Sequence, residues 1–354
     1  MSPLTAWSAA AAALAGLGAV FVRGRFLLHM FQLEEYDGRR FILWAGEHRE
    51  RLAANWGLDA LAAEAVVVLA VFPAASPARV IFYGLATIFG IAGIFRERRI
   101  LQKNPVKKPL VMTARARRLM ACTMILAACM TSLQFFMLNR VVVSVSFLVP
   151  FLAPLVLLAG NLVVSPVESA IRAWYVHDAQ RVISQYKPII IGITGSYGKT
   201  STKFFTAHLL EAQYHTLMTP ESYNTTLGIC RVIRGQLGPE HEVFVVELAE
   251  NEKGGFKRLL NLVPCTISAV TSVGLQHLEE FGSREAIQNT MRKFIAMPES
   301  GATVVLNADD ATLSDIHNAA GKNVIRTSAA GCADAVLRAE HVQMNVDGLS
   351  FEIV

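Results

Sequence analysis

The pattern of apolar and polar positions changes character near residue 165. Before it, apolar residues run in long, nearly uncharged stretches; after it they form short β-branched runs separated by segments of helical period. Residues 4–22, 58–72, 80–95, 119–138 and 141–164 are apolar enough to read as bilayer crossings, although 58–72 is short and carries Asp59 and Glu64. The pattern thus predicts about five transmembrane helices over residues 1–164. No basic segment precedes Leu4, so the first run lacks the form of a cleaved signal peptide. Residues 26–56 mix aromatics with Glu34, Glu35, Arg39, Arg40, Arg49 and Arg51 and read as an interfacial amphipathic helix, a solvated loop being the alternative. Residues 165–187 open on a Ser-Pro step and set Val167, Ile171, Trp174, Val182 and Ile183 towards one face. That predicts an amphipathic connector at the membrane surface, with His177 and Asp178 on its solvated side.

From residue 188 the pattern alternates. Strands are predicted at 189–194, 215–218, 242–248, 266–272 and 303–306, and helices at 199–212, 225–236, 255–262, 284–296 and 311–319. Residues 342–346 and 349–354 flank Asp347-Gly348 and predict a hairpin. Alternating strands and helices imply an α/β domain over 188–354. Its sheet would be mainly parallel with helices on both faces, and ligands would bind at the carboxyl ends of its strands.

Charge refines this division. Residues 1–165 hold 17 Lys and Arg against 8 Asp and Glu, and the remainder holds 16 against 20. If every apolar run crosses, the loops 23–55 and 96–118 carry 15 basic residues and the opposite turns carry 2. This asymmetry puts the amino terminus outside the membrane, and both basic loops and everything after residue 164 in the cytoplasm. The basic charge lies between apolar spans and not on the α/β half, so nucleic acid is excluded as the partner. Cys122, Cys129, Cys230, Cys265 and Cys332 have no metal-ligand spacing and read as reduced, mostly buried thiols.

Chemistry concentrates in residues 189–203, IIIGITGSYGKTSTK, a strand running into a glycine-punctuated turn and then a helix. Such a turn frees backbone N–H groups for phosphate oxygens, and the helix dipole adds to the attraction. Lys199 is placed to bridge terminal phosphates and Thr200 to ligate magnesium, with Thr194, Gly195, Ser196, Gly198 and Ser201 forming the cradle. The eight-residue phosphate-loop pattern is not met, because Ile193 stands where its first glycine belongs. What remains is the shorter T-G-S-x-G-K-T form, for which a chance Gly-Lys-Thr in a loop is the alternative.

Three more predicted strand ends carry polar residues for which a core has no use. Glu247 ends VFVVE and suits magnesium, directly or through water, or else is an edge carboxylate facing solvent. His277 follows a strand and a glycine turn. Asn307, Asp309 and Asp310 close VVLNADD, where an amide could read an adenine edge and where a turn and helix cap is the plainer account.

With TGSYGKTS, YNTTLGI, VVELAEN, SVGLQHLEEFGS and VLNADD in order, the α/β half resembles the central ATP-binding domain of the Mur ligase family, the amide-forming enzymes of peptidoglycan synthesis. The likeness is greatest to the branch that adds D-alanyl-D-alanine. The resemblance implies Lys199 on the phosphates of ATP, and Thr200, Glu247 and His277 around magnesium. It also implies Asn307 near adenine and Asn224 beside the site. The reaction implied is phosphorylation of an acceptor carboxylate to an acyl phosphate, followed by attack of an amine. The acceptor would be a muramyl-peptide-like or other envelope carboxylate, the amine an amino acid or dipeptide, and membrane lipid the surrounding partner.

The family pattern is not followed throughout. The lysine that many members carbamylate falls at Met291, with Lys293 on the opposite helical face. Membrane spans stand where the family has its uridine-binding domain, and the chain stops inside the predicted hairpin, which reads as truncation before the amine-binding domain. A poly-γ-glutamate or capsule-type ligase is a neighbouring reading, and a nucleotide-binding membrane module without turnover is the alternative of a different class.

Overall fold

A computed structural model describes residues 3–53, 76–103, 109–136, 149–249, 254–274, 283–317, 319–346 and 348–354. The chain divides into two compact units, Met1–Ser169 and Ala170–Val354.

The first unit is helical: α1 (Pro3–Leu33), α2 (Gly38–Glu47), α3 (Arg49–Ala53), α4 (Ala78–Lys103), α5 (Ala114–Phe136) and the start of α6 (Val149–Tyr186). Among the described residues three helices are long and apolar enough to cross a membrane, at Pro3–Leu33, Ala78–Arg99 and Leu152–Tyr186. The expected span at 58–72 lies outside the described residues, and those at 119–138 and 141–164 lie partly outside them. Helix α1 packs closely on α4 because small residues meet there: a Cβ at Gly90 would sit 3.2 Å from that of Ala15. The mixed segment after residue 26 divides. Helix α1 continues to Leu33, and Asp37 then caps α2 by accepting from the N–H groups of Arg39 and Arg40 at 2.7 and 2.9 Å.

The predicted helix start at Ser165-Pro166 is not a start. Helix α6 runs unbroken through both Pro154 and Pro166. Proline removes one backbone donor but keeps a helical φ, and in a helix this long the turns on either side hold the conformation.

The second unit is built on an eight-stranded sheet. Its strands are β1 (Ile189–Thr194), β2 (Thr216–Met218), β3 (Val243–Glu247), β4 (Ile267–Val270), β5 (Thr303–Asn307), β6 (Asn323–Ser328), β7 (Leu337–Asn345) and β8 (Gly348–Ile353). The order is β2-β3-β1-β4-β5-β6-β7-β8, parallel up to β7, with β8 antiparallel to β7 as the hairpin signal predicts. Helices α7 (Lys199–Glu211), α8 (Thr226–Gln236), α9 (Gly255–Leu262) and α10 (Arg284–Ala296) make the crossovers. The chain turns towards β2 after β1 and towards β5 after β4. The crevice between the ends of β1 and β4 is therefore the topological switch point, where open α/β sheets bind ligands.

Strand alternation sorts the side chains of β3 onto two faces. Phe244 and Val246 join a large apolar cluster with residues of α8, α9 and α10, while Val243 and Val245 pack with Ile191, Ile193 and Ala207 of α7. Glu247 continues the second set, so period two alone aims its carboxylate at the start of α7. Buried β-branched side chains on both faces explain why these strands read as nearly continuous apolar runs.

One predicted helix is absent. Residues 311–315 form turns, because Asp310 Oδ1 accepts from the N–H groups of Thr312 and Leu313 and Arg326 of β6 binds Ser314 O and His317 Nδ1. The Asp310 bonds cap a first turn, and the Arg326 bond to Ser314 O takes a carbonyl that a second helical turn would use. Strand β6, which carries Arg326, is an element the pattern reading did not include.

Candidate functional site

The site grows from the turn between β1 and α7. Gly195 and Gly198 have φ of +138° and +81°, values that side chains oppose. At Gly195 a second constraint acts, since a Cβ there would lie 2.1 Å from Thr271 Oγ1. Register brings the neighbouring strand ends level: Ile193 pairs with Glu247, Thr194 with Val270, and Val270 with Leu306. The residues just after β4 then stitch the turn in place. Ser196 N–H donates to Ser272 O at 2.8 Å, Tyr197 N–H to Ser272 Oγ at 3.0 Å, and Thr271 Oγ1 to Tyr197 O at 2.6 Å. Gly274 N–H donates to Ser196 Oγ at 2.7 Å.

Helix α7 begins at Lys199 with Gly198 as its cap, a residue with no side chain to bond the helix's first N–H groups. The first N–H groups of an α-helix have no acceptor within the helix, so this end presents donors and a positive dipole over the turn. Lys199 Nζ folds back to donate to Gly195 O at 2.6 Å and Ser196 O at 3.2 Å. Burial lowers the pKa of its ammonium, and the charge of Glu247 pulls it back up. Ser201 is exposed on the same first turn.

Glu247, only 1% exposed, is the centre of a buried polar group. Thr200 Oγ1 donates to Glu247 Oε2 at 2.8 Å, and Asn224 Nδ2 donates to Oε1 at 3.0 Å. Asn224 stands just before Thr225, the N-cap of α8. The backbone of Glu247 is anchored too, its N–H donating to Thr219 Oγ1 at 3.3 Å. Lys203, with no exposed surface, places Nζ 3.9 Å from Glu247 Oε2 and donates to Glu221 O. Burial lowers the Lys203 pKa and Glu247 again opposes the shift.

Asn307 closes the far side. Its Nδ2 donates to Thr271 O at 3.0 Å and its Oδ1 accepts from Asp309 N–H at 3.0 Å, so the amide ties β5 to the residues that hold the turn. Asp310 Oδ2 accepts from Val273 N–H at 2.9 Å. Asp309 instead faces β6, bonded by Ser328 Oγ and the N–H groups of Ala329 and Ala330. Burial raises the Asp309 pKa, and these three bonds more than offset it, leaving the carboxyl below its ordinary value.

The structure therefore brings together Thr194, Gly195, Ser196, Gly198, Lys199, Thr200, Asn224, Glu247 and Asn307 along one edge of the sheet. His277 lies outside the described residues. Met291 is buried in the core and Lys293 is exposed on the other side of α10. Lys203 and Thr219 belong to the site although the sequence reading did not name them. Lys203 had a signal: it stands one helical turn after Lys199, on the face that carries Ala207 inward. All five cysteines are free; two are buried, and the Cys265 thiol is pushed by burial up to about 12.

A hydroxyl and a carboxylate oxygen 2.8 Å apart form an all-oxygen donor pair of the kind hard divalent cations prefer, so these side chains fit magnesium. Among the described residues no cluster of three or more His, Cys, Asp or Glu could hold a metal. A site of this kind would draw its remaining ligands from phosphate oxygens and water.

Comparison with known proteins shows what this part of the chain resembles. Residues 193–354 match the family model of the Mur ligase middle domain. The UDP-N-acetylmuramoyl-tripeptide--D-alanyl-D-alanine ligase of Mycobacterium tuberculosis (strain ATCC 25618 / H37Rv) is 38% identical over 150 residues, covering 41% of this chain and 28% of that enzyme. The Escherichia coli (strain K12) ligase of the same description is 27% identical over 165 residues, covering 46% and 36%. The chain thus spans about a third or less of the length of these curated relatives. Among solved structures, MurF ligase from Thermotoga maritima in complex with ADP aligns with a TM-score of 0.47 at 24% identity, covering 51% of this chain and 42% of that one. Residues 193–354 are thus similar to the Mur ligase middle domain, and the curated relatives named here over that stretch are D-alanyl-D-alanine-adding ligases.

Proposed function

We propose that the protein is an ATP-dependent amide-forming ligase of peptidoglycan precursor synthesis, held in a bacterial inner membrane with its α/β unit in the cytoplasm. The observation that carries this reading is the junction of Lys199, Thr200, Asn224 and Glu247 at the switch point of the sheet, beneath the open start of α7. The match of residues 193–354 to the Mur ligase middle domain supports a nucleotide there. Three long apolar helices and the basic residues of the predicted cytoplasmic loops support the membrane placement.

In this reading the N–H groups of the Gly195–Gly198 turn and of the first turn of α7 bind the phosphates. Lys199 leaves the carbonyls of Gly195 and Ser196 for a phosphate oxygen, a stronger acceptor. Magnesium would be held by Thr200 and Glu247, with His277 as a further ligand, and when bound it supplies charge neutralisation for phosphoryl transfer. Asn224 fixes the Glu247 carboxylate, and Asn307 keeps the strand ends level beside the base. Burial of Glu247 keeps water from its carboxylate, which strengthens its interactions. The acceptor carboxylate attacks the γ-phosphate, ADP leaves, and the acyl phosphate is then taken by an amine with loss of inorganic phosphate. No nucleophile from the protein is needed. The acceptor is a muramyl-peptide-like carboxylate and the amine an amino acid or dipeptide.

The test is phosphate release by the full chain in detergent micelles, with ATP, magnesium, D-alanyl-D-alanine and a panel of muramyl-peptide precursors, free and lipid-linked. The reading expects release that requires both acceptor and amine and is lost in Lys199→Ala. Equal release from the variant, or release indifferent to the acceptor, would contradict it.

A further inference from the structure

Lys203 is a fully buried ammonium that the proposed chemistry does not use. It has two tasks in the fold. Its Nζ donates to Glu221 O, and it lies 3.9 Å from Glu247 Oε2, too far for the carboxylate to be its main hydrogen-bond acceptor. Glu221 has φ of +44°, a left-handed backbone at a residue with a side chain, so the loop between β2 and α8 keeps this shape only where something holds it. Three residues further on the same loop stands Asn224, whose amide fixes Glu247 Oε1. The other carboxylate oxygen is fixed by Thr200, on the helix that carries Lys203.

We propose that Lys203 is a positioning residue for the metal-binding carboxylate: its ammonium ties the loop carrying Asn224 to the helix carrying Thr200 and so holds Glu247 between them. This rests on the nucleotide reading of the site. Charge makes the role specific. A buried carboxylate without a nearby cation is costly enough to leave its position, and the cation here is anchored by a backbone carbonyl instead of by the carboxylate itself. Glu247 therefore keeps both oxygens directed at Thr200 and Asn224, and Oε2 can pass to a metal without breaking the bond that holds Lys203. Lys199 acts on the same charge from the phosphate side but can leave with the phosphates; Lys203 stays.

The test is equilibrium binding of a fluorescent ATP analogue to the full chain in detergent micelles, with magnesium present and with it chelated. Lys203→Met is expected to weaken magnesium-dependent binding about tenfold or more while changing metal-free binding less than about twofold, and Lys203→Arg to stay within about threefold of wild type. A methionine variant with wild-type affinity in magnesium overturns the proposal, as does a loss equal with and without the metal. Should the methionine variant fail to fold, Lys203→Gln decides, because it keeps a donor for Glu221 O and removes only the charge. It is expected to lose about threefold or more in magnesium, and a wild-type value overturns the proposal. A wild-type chain that binds no nucleotide removes the site reading and this inference together. Binding by wild type and K203M alike removes the inference alone.

Discussion

The two units bury polar side chains in opposite ways. In the helical unit Thr123 bonds Leu119 O one turn back in its own helix, at 2.8 Å, and Arg23 bonds Leu52 O. Each of these contacts pairs one side chain with one backbone carbonyl, the first within a helix and the second between α1 and α3, as an apolar surrounding requires. In the α/β unit Thr194, Ser196, Lys203, Thr219 and Glu247 are also buried, but their bonds run between β1, β3, α7 and the loops after β2 and β4. A polar network that joins five segments at the switch point does more than satisfy itself. It positions a carboxylate, a hydroxyl and an amine that folding alone would not place together.

That contrast can be broken at several points. The largest effect is expected from Gly195→Ala, because the added methyl would meet Thr271 Oγ1 at 2.1 Å on a backbone with φ of +138°. Nucleotide binding should fall below detection, with thermal unfolding of the α/β unit lowered by several degrees; a variant that binds normally would mean the turn is not the phosphate cradle. Glu247→Gln should follow, losing about tenfold in magnesium-dependent nucleotide affinity because charged acceptors make the stronger bonds. The same titration with magnesium chelated should change little.

In the helical unit, Gly90→Leu should force α4 away from Ala15 of α1 and destabilise that unit by about 1–3 kcal/mol. Nucleotide affinity measured on the same preparation should stay within about twofold, since none of the site's bonds pass through that contact. The smallest effect belongs to Asp309. Its folded pKa lies below the ordinary value of 3.8, so its contribution is fully present above that pH and is lost as pH falls through the lower folded value. Asp309→Asn should therefore lower the unfolding temperature slightly at neutral pH and make no difference in strong acid, as followed by circular dichroism.

How much of this was legible in the sequence depended on whether a residue's neighbours lie near it in the chain. The glycine turn between β1 and α7 was legible because its strand, its glycines and Lys199 are consecutive. Glu247 was legible as a polar end to an apolar strand, and the register that buries it against α7 removes the solvent-facing alternative. Helices α9 and α10 matched their patterns to the residue, having strong apolar faces and, for α10, Ser283 as N-cap. Residues 311–319 misled because Arg326, which holds their turns, arrives from β6. The unbroken α6 was hidden by local grammar, since Ser-Pro usually opens a helix. Lys203 went unnamed because its partners are a backbone carbonyl on a left-handed residue and a carboxylate 44 positions away, and periodicity reports neither.

The central claim is that the turn before Lys199 and the carboxylate of Glu247 together grip the triphosphate of a nucleotide with magnesium. Calorimetric titration of the full chain in detergent with ATP, in the presence and absence of magnesium, tests this directly when run beside Lys199→Ala. The account predicts saturable binding at one site, tightened by magnesium and lost in the variant. Binding that is absent, indifferent to magnesium or unchanged in Lys199→Ala would contradict it.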